Sequence, residues 1–363
     1  MNPVVEFHIK LKRKEFVLDV KAKISEGITG IFGPSGHGKT SLLDSIAGIV
    51  KPDSGYIYIK GEKIYDSESK LNLPVKKRKV GYVFQDVRLF PHYSICKNLN
   101  YGRKEKGRSP IFDEVVDILK IAHILNKKPE QCSGGEKQRV AIGRAILSGS
   151  QILLMDEPFS AVDVKLRKEI IPFLNAVNRK FKMPIIIVSH DLPDLLSLTD
   201  NLLLLQNGRI LAHGKFHDLI FDEHNLNVMH ESGWFNIMHL FVFDLLPSEN
   251  MVVLKSNKSD LQIQVITRFI NIGTEINTPL KVLIKPENIA LAKEPVTNIS
   301  LRNQIHGTIQ KVFLKDGLAF CIVDVGENIL VEVTEASQKT MHLHPGEQVY
   351  CLFKSAALKI FSV

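Results

Sequence analysis

One glycine-rich segment constrains the fold of this chain more than any other. Residues 28–50 read ITGIFGPSGHGKTSLLDSIAGIV, which is an apolar strand pattern, then a loop with three glycines, then a helix pattern. Residues 33–40 fit G-x-x-x-x-G-K-[ST], in which backbone N–H groups surround the phosphates of a nucleotide. The order strand, phosphate loop, helix predicts an α/β fold that binds its ligand at the carboxyl ends of parallel strands.

The residue types in this loop indicate how a polyphosphate would be held. Glycine permits positive φ and lets the backbone approach the ligand closely. Lys39 supplies a movable positive charge for the β- and γ-phosphates, and Thr40 supplies a hydroxyl for Mg²⁺. The residues predicted to bind the nucleotide are Gly33, Pro34, Ser35, Gly36, His37, Gly38, Lys39, Thr40 and Ser41.

Polar side chains follow three further apolar runs. QILLMDEP ends in Asp156 and Glu157, PIIIVSHD ends near His190, and Gln85 follows VGYVF. Continuous apolar runs are typical of parallel strands that are buried on both faces. We therefore expect Asp156 to help hold Mg²⁺ and Gln85 to contact either Mg²⁺ or the attacking water. Glu157 is expected to polarise that water, and His190 to donate to the γ-phosphate.

A second glycine-rich loop raises a question about the first. CSGGEKQRVAIGRAIL, residues 132–147, places Ser133, Gly134 and Gly135 directly before a helical pattern. Free backbone N–H groups at the positive end of a helix also favour phosphate. One chain therefore carries two phosphate-binding arrangements about a hundred residues apart.

The motifs, taken in order, resemble those of the ATP-binding cassette (ABC) ATPases over residues 1 to about 230. They are GPSGHGKT, Gln85, CSGGEKQR, ILLMDEP, SAVD at residues 160–163, and His190. The resemblance implies an α/β P-loop NTPase fold of the ABC type, with a mixed sheet and a helical subdomain. It also implies the cofactors ATP and Mg²⁺, with Glu157, His190 and Gln85 as catalytic residues.

The same resemblance answers the question of the two loops. Family members form homodimers in which ATP on one phosphate loop is capped by the signature loop of the other copy. The resemblance implies contacts across the dimer from Ser133, Gly134, Gly135, Ser160 and Asp163. The signature departs from the family pattern at Cys132 and Glu136, and neither residue is expected to contact phosphate.

The aromatic residue that stacks on adenine in this family is left open by the sequence. Phe7 and Phe16 are the two candidates, and both also fit the core of a strand.

The character of the chain changes near residue 230. Short alternating segments separated by turns replace the helix patterns, which predicts a small antiparallel barrel. We predict a nucleotide-binding domain at 1–235, a linker with the first β segments at 236–295, and an all-β, OB-like barrel domain at 296–363.

Two segments indicate the transported substrate by resemblance. GYVFQDVRLFPHYSICKNLNYG, residues 81–102 with Arg88, resembles molybdate importer ATPases, and SLRNQIHGTIQKV, residues 300–312, resembles the Mop form of the tail domain. In relatives that domain can bind molybdate or tungstate. A tetrahedral dianion suits hydroxyls, N–H donors and a cation. The candidates are Ser300, Arg302, Asn303, Lys354 and Ser355, and the alternative is that they are turn and strand-edge residues of an empty barrel.

The charge and hydropathy of the chain limit the classes of partner that it could bind. The net charge of +8 is consistent with either solubility or anionic partners, and the absence of an aromatic-rich basic stripe argues against nucleic acid. No apolar run approaches the ~20 residues that span a bilayer. The four scattered cysteines suggest reduced thiols.

The resemblance accordingly implies integral membrane permease subunits, an extracytoplasmic molybdate-binding protein, and a peripheral position on the cytoplasmic face of the plasma membrane. Two alternatives stay open. One is an importer of sulfate, tungstate or ferric iron, and the other is a soluble, nucleotide-gated oxyanion sensor.

Overall fold

A computed structural model describes residues 3–13, 16–103, 110–160, 164–222, 225, 234–267 and 275–362. The contacts within the chain divide it into two compact units, Met1–Phe216 and His217–Val363. The boundary predicted at residue 235 remains a prediction, because residues 226–233 lie outside the described ranges. None of the described helices is both long enough and apolar enough to cross a membrane.

The first unit alternates between strands and helices. Its strands are β1 (Val5–Lys12), β2 (Val17–Ile24), β3 (Ile28–Phe32), β4 (Ser54–Ile59), β5 (Glu62–Asp66), β6 (Leu71–Asn72), β7 (Val80–Val83), β8 (Ile152–Asp156), β9 (Ile185–Ser189), β10 (Asn201–Gln206) and β11 (Arg209–Lys215). Its helices are α1 (Lys39–Ala47), α2 (Ile95–Leu99), α3 (Pro110–Ile118), α4 (Gly134–Leu147), α5 (Val164–Phe181) and α6 (Leu192–Leu198), and α7 (Phe216–Ile220) lies at the boundary.

The central sheet has the strand order β11-β10-β3-β9-β8-β7. All of its neighbours are parallel except β10 and β11, which form an antiparallel hairpin. Strands β3, β8 and β9 are buried at every residue, as their continuous apolar runs predict. The loops that follow β3, β7, β8 and β9 therefore meet at one edge of the sheet.

A second sheet of this unit is antiparallel, with the order β2-β1-β4-β5-β6. Strand β1 alternates between buried and accessible side chains, as the period-2 pattern of its sequence predicts. Its inward side chains, including Phe7 and Ile9, pack in one core with residues of α1 and of the central sheet. This core supports the helix that carries the phosphate loop.

Helix α1 is fixed at its carboxyl end by a buried arginine. Arg78 Nη1 donates to Ser45 O at 2.8 Å and to Ile46 O at 2.9 Å, and Nε donates to Leu73 O at 2.9 Å. A cation at the negative end of a helix is favourable. Burial lowers the pKa of Arg78 from its ordinary value.

The second unit is rich in antiparallel strands, which confirms the predicted change to an all-β tail. Its strands are β12 (Asn236–Leu246), β13 (Met251–Ser256), β14 (Gln262–Ile266), β15 (Pro279–Ile284), β16 (Ala290–Ala292), β17 (Asn303–Lys315), β18 (Leu318–Asp324), β19 (Asn328–Thr334), β20 (Gln348–Phe353) and β21 (Lys359–Ser362). They form two five-stranded sheets in the orders β14-β13-β12-β15-β21 and β16-β20-β17-β18-β19. A short helix, α8 (Glu335–Thr340), follows β19.

Strands from both sides of residue 295 share these two sheets. Strand β15 pairs with β21, and β16 pairs with β20. Side chains from the two sheets form a single core, which includes Val282 and Val323. The segment 236–295 therefore contributes strands to the same unit as 296–363.

Candidate nucleotide-binding site

The phosphate loop joins β3 to α1 and lies tightly against the end of β10. A Cβ atom on Gly33 would stand 2.0 Å from Leu205 O, so only glycine fits there. Gly36 and Gly38 have φ values of 82° and 101°, in the region that favours glycine. The predicted reason for glycine at these positions, close approach and positive φ, is therefore observed in the backbone.

Lys39 is folded into this loop. Its side chain is buried, and Nζ donates to Gly33 O at 2.7 Å and to Pro34 O at 2.8 Å. Burial lowers the pKa of Lys39, while the nearby Glu157 and Asp156 carboxylates act in the opposite direction. The ammonium group is therefore held within the loop by neutral carbonyls, which phosphate oxygens can displace.

Thr40 and Asp156 bring the start of α1 to the end of β8. Thr40 Oγ1 donates to Asp156 Oδ1 at 3.1 Å. Burial raises the pKa of Asp156, and the Thr40 hydroxyl opposes that shift. The sequence predicted both residues near Mg²⁺, and the structure brings their oxygen atoms together.

Glu157 and His190 meet across the ends of β8 and β9. His190 Nδ1 lies 2.9 Å from Glu157 Oε2, so an ionised Glu157 can accept a hydrogen bond from the Nδ1–H group. Glu157 has a φ of 47°, which is unusual for a residue with a side chain. Its backbone N donates to Val188 O at 3.0 Å, and its carbonyl accepts from Ser160 Oγ at 2.9 Å. These bonds hold the carboxylate at the edge of the sheet.

The phosphate loop, Gln85, Glu157 and His190 line one pocket of about 400 Å³. Its lining consists of Phe16, Ser35, Gly36, Gly38, Lys39, Thr40, Ser41, Gln85, Glu157 and His190. The structure also separates the two aromatic candidates. Phe16 lines the pocket, whereas Phe7 is fully buried in the core and is not accessible to a ligand.

The second glycine-rich loop begins α4 with reciprocal capping hydrogen bonds. Ser133 Oγ accepts from Glu136 N at 3.2 Å, and Glu136 Oε2 accepts from Ser133 N at 2.7 Å. His123 Nε2 lies 3.0 Å from Glu136 Oε1. The Ser133 N–H, and secondarily His123, hold the pKa of Glu136 below its ordinary value. Glu136 therefore stabilises the loop, and Cys132 beside it is buried.

Comparisons with known proteins agree with this geometry. Residues 17–160 match the family model described as ABC transporter, and residues 299–360 match the TOBE domain. The molybdenum import ATP-binding protein of Rhizobium etli is 35% identical over 99% of this chain and 100% of its own length. The chain belongs to the ABC transporter family. Proteins of the same name from Pectobacterium atrosepticum and Haemophilus ducreyi are 33% and 35% identical, each over 98% of this ABC ATPase.

Solved structures match the ABC fold. A dimeric post-hydrolysis state of an ATP-binding cassette bound to ADP and Pi is 27% identical with a TM-score of 0.50, over 58% of this chain and 98% of that one. An ABC transporter subunit from Clostridium perfringens, 23% identical, has a TM-score of 0.54 over 64% of this chain and 96% of that one. The predicted fold class is confirmed.

The nucleotide pocket of this ABC ATPase is built from only some of the predicted residues. Among the described residues that line it, none comes from Ser133, Gly134 or Gly135. Asp163, which was predicted to act across a dimer, lies outside the described residues.

The structure divides the predicted oxyanion residues of the tail into two groups. Asn303 and Ser355 are buried together, with Ser355 Oγ donating to Gln264 O at 2.6 Å and Asn303 Oδ1 accepting from Gln264 N at 2.7 Å. Ser300 and Lys354 are exposed, and the exposed Arg302 Nη1 lies 3.5 Å from a Glu249 carboxylate oxygen.

Lys354 faces a different environment from the buried pair. It lines a pocket of about 490 Å³, into which Glu287 and Glu332 also project. Asn303 links β14 to the start of β17, and Ser355 links β14 to the segment after β20, so each residue already has a structural partner.

The turn after β10 contacts the phosphate loop, which the sequence motifs do not indicate. The backbone N–H groups of Asn207 and Gly208 both donate to His37, at 3.2 Å. A signal was available, because β10 is a parallel neighbour of β3, and parallel neighbours end at the same edge of a sheet. The sequence NLLLLQNGRIL, residues 201–211, predicts a strand pair that turns at Asn207 and Gly208, but it does not by itself indicate that this turn lies beside the phosphate loop.

Proposed function

We propose that this ABC ATPase hydrolyses ATP at a homodimer interface and drives the import of molybdate through a membrane permease. One observation supports a dimer. The pocket is lined by the phosphate loop, Gln85, Glu157 and His190, and its described lining includes no residue of the signature loop. A second copy would supply Ser133, Gly134 and Gly135 in the C2 arrangement that is usual for homodimers. The solved relative bound to ADP and Pi is dimeric, in support.

Each residue has a proposed role at the phosphates. Lys39 exchanges its two carbonyl partners for β- and γ-phosphate oxygens. Glu157 accepts a proton from the attacking water, and His190, more than half exposed at 57%, turns from Glu157 to the γ-phosphate. Phe16 contacts the base, since it is the aromatic candidate that lines this pocket.

The residues present suit Mg²⁺. Thr40 Oγ1 and Asp156 Oδ1 lie within hydrogen-bond distance, and Gln85 lines the same pocket, so hydroxyl, carboxylate and amide oxygens are available to a hard cation. Mg²⁺ bound there would neutralise charge on the phosphate oxygens. Asp156 is buried with a raised pKa, so a cation would favour its ionised form.

ATP acts in this account as a ligand with differential affinity. It contacts two protomers in the closed dimer and one in the open form, so binding favours closure. Hydrolysis removes that preference and lets the dimer open. Ser133, Gly134, Gly135 and Asp163 make the contacts that exist only in the closed state.

Molybdate is proposed as the substrate because relatives named as molybdenum import proteins match nearly the full chain, tail included. The permease would meet the segment after β7, where Arg88 is exposed and its guanidinium lies 4.1 Å from the centre of the Phe84 ring. Function in this complex requires a peripheral position on the cytoplasmic face of the membrane. An extracytoplasmic binding protein would deliver the anion.

The tail is proposed to bind molybdate or tungstate through Ser300, Arg302 and Lys354, with Asn303 and Ser355 beside them. The exposed cations Arg302 and Lys354 would supply charge, and the hydroxyl of Ser300 would donate to an oxo group. The hydrogen bonds between Asn303, Ser355 and Gln264 would fix the start of β17 next to Arg302 and the segment after β20 next to Lys354.

Transport of labelled molybdate by the reconstituted complex tests this function. Uptake should require ATP and should stop with Glu157→Gln in both protomers. Competition by unlabelled sulfate, tungstate and ferric iron separates the substrate alternatives, since the preferred substrate suppresses uptake at the lowest concentration. If no membrane protein copurifies with the chain and its nucleotide binding depends on molybdate, a soluble sensor would be supported instead.

A further inference from the structure

His37 belongs to the phosphate loop, but its side chain is turned away from the nucleotide pocket. Its neighbours Gly36 and Gly38 line that pocket, and His37 is absent from the described lining. Its Nδ1 instead accepts a hydrogen bond from the backbone N–H of Asn207 at 3.2 Å. Its carbonyl accepts from Gly208 N, also at 3.2 Å. One residue thus joins the loop to the β10–β11 turn at two points.

That turn has little freedom to move. Gln206 pairs with Arg209, so Asn207 and Gly208 form a two-residue hairpin turn with φ values of 48° and 72°. Gly208 O accepts from Asp19 N at 2.8 Å. The turn is therefore held both by its own hairpin and by β2.

The turn also packs against the start of β2, which itself lies close to the phosphate loop. A Cβ atom on Gly208 would stand 2.1 Å from Val17 O. Phe16, the residue before Val17, lies close to Gly38. A Cβ atom on Gly38 would stand 3.0 Å from the Phe16 ring. Loop, turn and β2 therefore form a closed ring of contacts around one side of the pocket.

We propose that His37 is a positioning residue, whose imidazole ties the phosphate loop to the Asn207–Gly208 turn and thereby sets the affinity for nucleotide. This inference rests on the proposed ATP site. The acceptor role of Nδ1 places the ring proton on Nε2. Holding the loop in its binding conformation lowers the cost of ordering it when nucleotide binds. His37 contacts no reacting group, so affinity should change more than the rate of hydrolysis.

A matched pair of substitutions in the full-length chain tests the link. His37→Asn places an acceptor oxygen close to the position of Nδ1, whereas the amide oxygen of His37→Gln lies one bond further out. We expect H37Q to raise the KM for ATP, and the Kd for trinitrophenyl-ATP, about two- to tenfold, which is the effect of one hydrogen bond. H37N should restore both values toward wild type, and in either variant the fold-change in kcat should be smaller than the fold-change in KM that H37Q shows.

Several results would overturn the inference. They are an unchanged KM in H37Q, a KM in H37N raised as much as in H37Q, or a fall in kcat at constant KM. Gly208→Ala displaces the turn from the other side and should raise KM in the same direction, so a wild-type KM there also counts against it. Unfolding temperatures show whether each variant is folded.

The binding titration also separates this inference from the proposed function. If the wild-type chain hydrolyses no ATP, the proposed function fails while trinitrophenyl-ATP binding still tests His37. If hydrolysis is normal but H37Q matches wild type, only the positioning role fails.

Discussion

The Glu157 carboxylate lies 2.9 Å from the His190 imidazole, at the carboxyl ends of two adjacent parallel strands. Glu157 is largely buried, with 12% of its side chain exposed, whereas His190 is 57% exposed. The carboxylate is therefore fixed by the backbone around it, and the imidazole has room to move. This pair gives the first prediction.

Glu157→Gln should reduce ATP hydrolysis by about 10²–10⁴-fold, because the amide cannot accept a proton from water. ATP should still bind, and ATP-bound dimers should accumulate. Single-turnover kinetics together with size-exclusion chromatography measure both effects. Glu157→Asp is the matched control, since it keeps a carboxylate and should retain part of the rate. Normal turnover in Glu157→Gln would contradict the assignment.

Thr40→Val should remove the hydroxyl that meets Asp156 without changing side-chain size. If Thr40 holds Mg²⁺ as proposed, loss of its hydroxyl oxygen weakens the charge stabilisation that the metal supplies, so we expect the Mg²⁺-dependent rate to fall on the order of a hundredfold. Thr40→Ser keeps the hydroxyl and should remain active. Mg²⁺ titrations of the ATPase rate distinguish the two, and equal Mg²⁺ dependence in both variants would argue against the proposed site.

Asp156 gives a pH prediction for the nucleotide-free protein. Its pKa is raised in the folded chain, chiefly by burial, so the folded state binds a proton more readily than the unfolded state. The contribution of this group to stability therefore falls as the pH rises from its ordinary pKa of 3.8 through the raised value. Asp156→Asn should flatten this part of the profile of unfolding free energy against pH, with hydrolysis lost. An unchanged profile would contradict the burial argument.

Substitutions of Asn303 and Arg302 distinguish a structural role from a ligand-binding role in the tail. Asn303→Ala leaves the partly buried Gln264 N–H without its acceptor, at a cost of about 1–3 kcal/mol in unfolding free energy. Arg302→Ala removes only an exposed ion pair and should change stability by less than about 1 kcal/mol. If the tail binds molybdate as proposed, calorimetric titration should show weaker binding in Arg302→Ala. Undiminished binding there would remove Arg302 from the site.

The cysteines of the tail should be inert in the folded protein. Burial raises the pKa of Cys321 to about 11 and that of Cys351 to about 12, from an ordinary value of 9.0. Iodoacetamide at pH 8 should label Cys96, which is partly accessible, well before either of them. Because the unfolded thiols ionise first, their contribution to stability should decline as the pH rises above 9.0. Rapid labelling of Cys321 without denaturant would contradict this.

The positions of Asp156, Glu157 and His190 at one edge of the sheet could be predicted because their sequence signals are local. Asp156, Glu157 and His190 each follow a run of apolar residues, and parallel strands end at the same edge. Phe7 and Phe16 could not be separated in this way. Both occur in alternating strand patterns, and which one reaches the pocket depends on where β2 begins relative to the phosphate loop.

Long-range hydrogen bonds account for most of what the sequence left undetermined. Nothing near Asn303 in the chain indicates that its amide bonds the backbone of Gln264, 39 residues away. The capping pair of Ser133 and Glu136 has a local signature, but His123 joins it through tertiary structure. Likewise, the partner of His37 is separated from it by 170 positions.

The dependence of ATP hydrolysis on protein concentration tests the central claim most directly. Specific activity should be measured over a dilution series in parallel with sedimentation analysis of the same samples. If each pocket needs the signature loop of another copy, activity per chain will follow the dimer fraction and vanish as the chain becomes monomeric. Full specific activity in a sample shown to be monomeric would contradict the account.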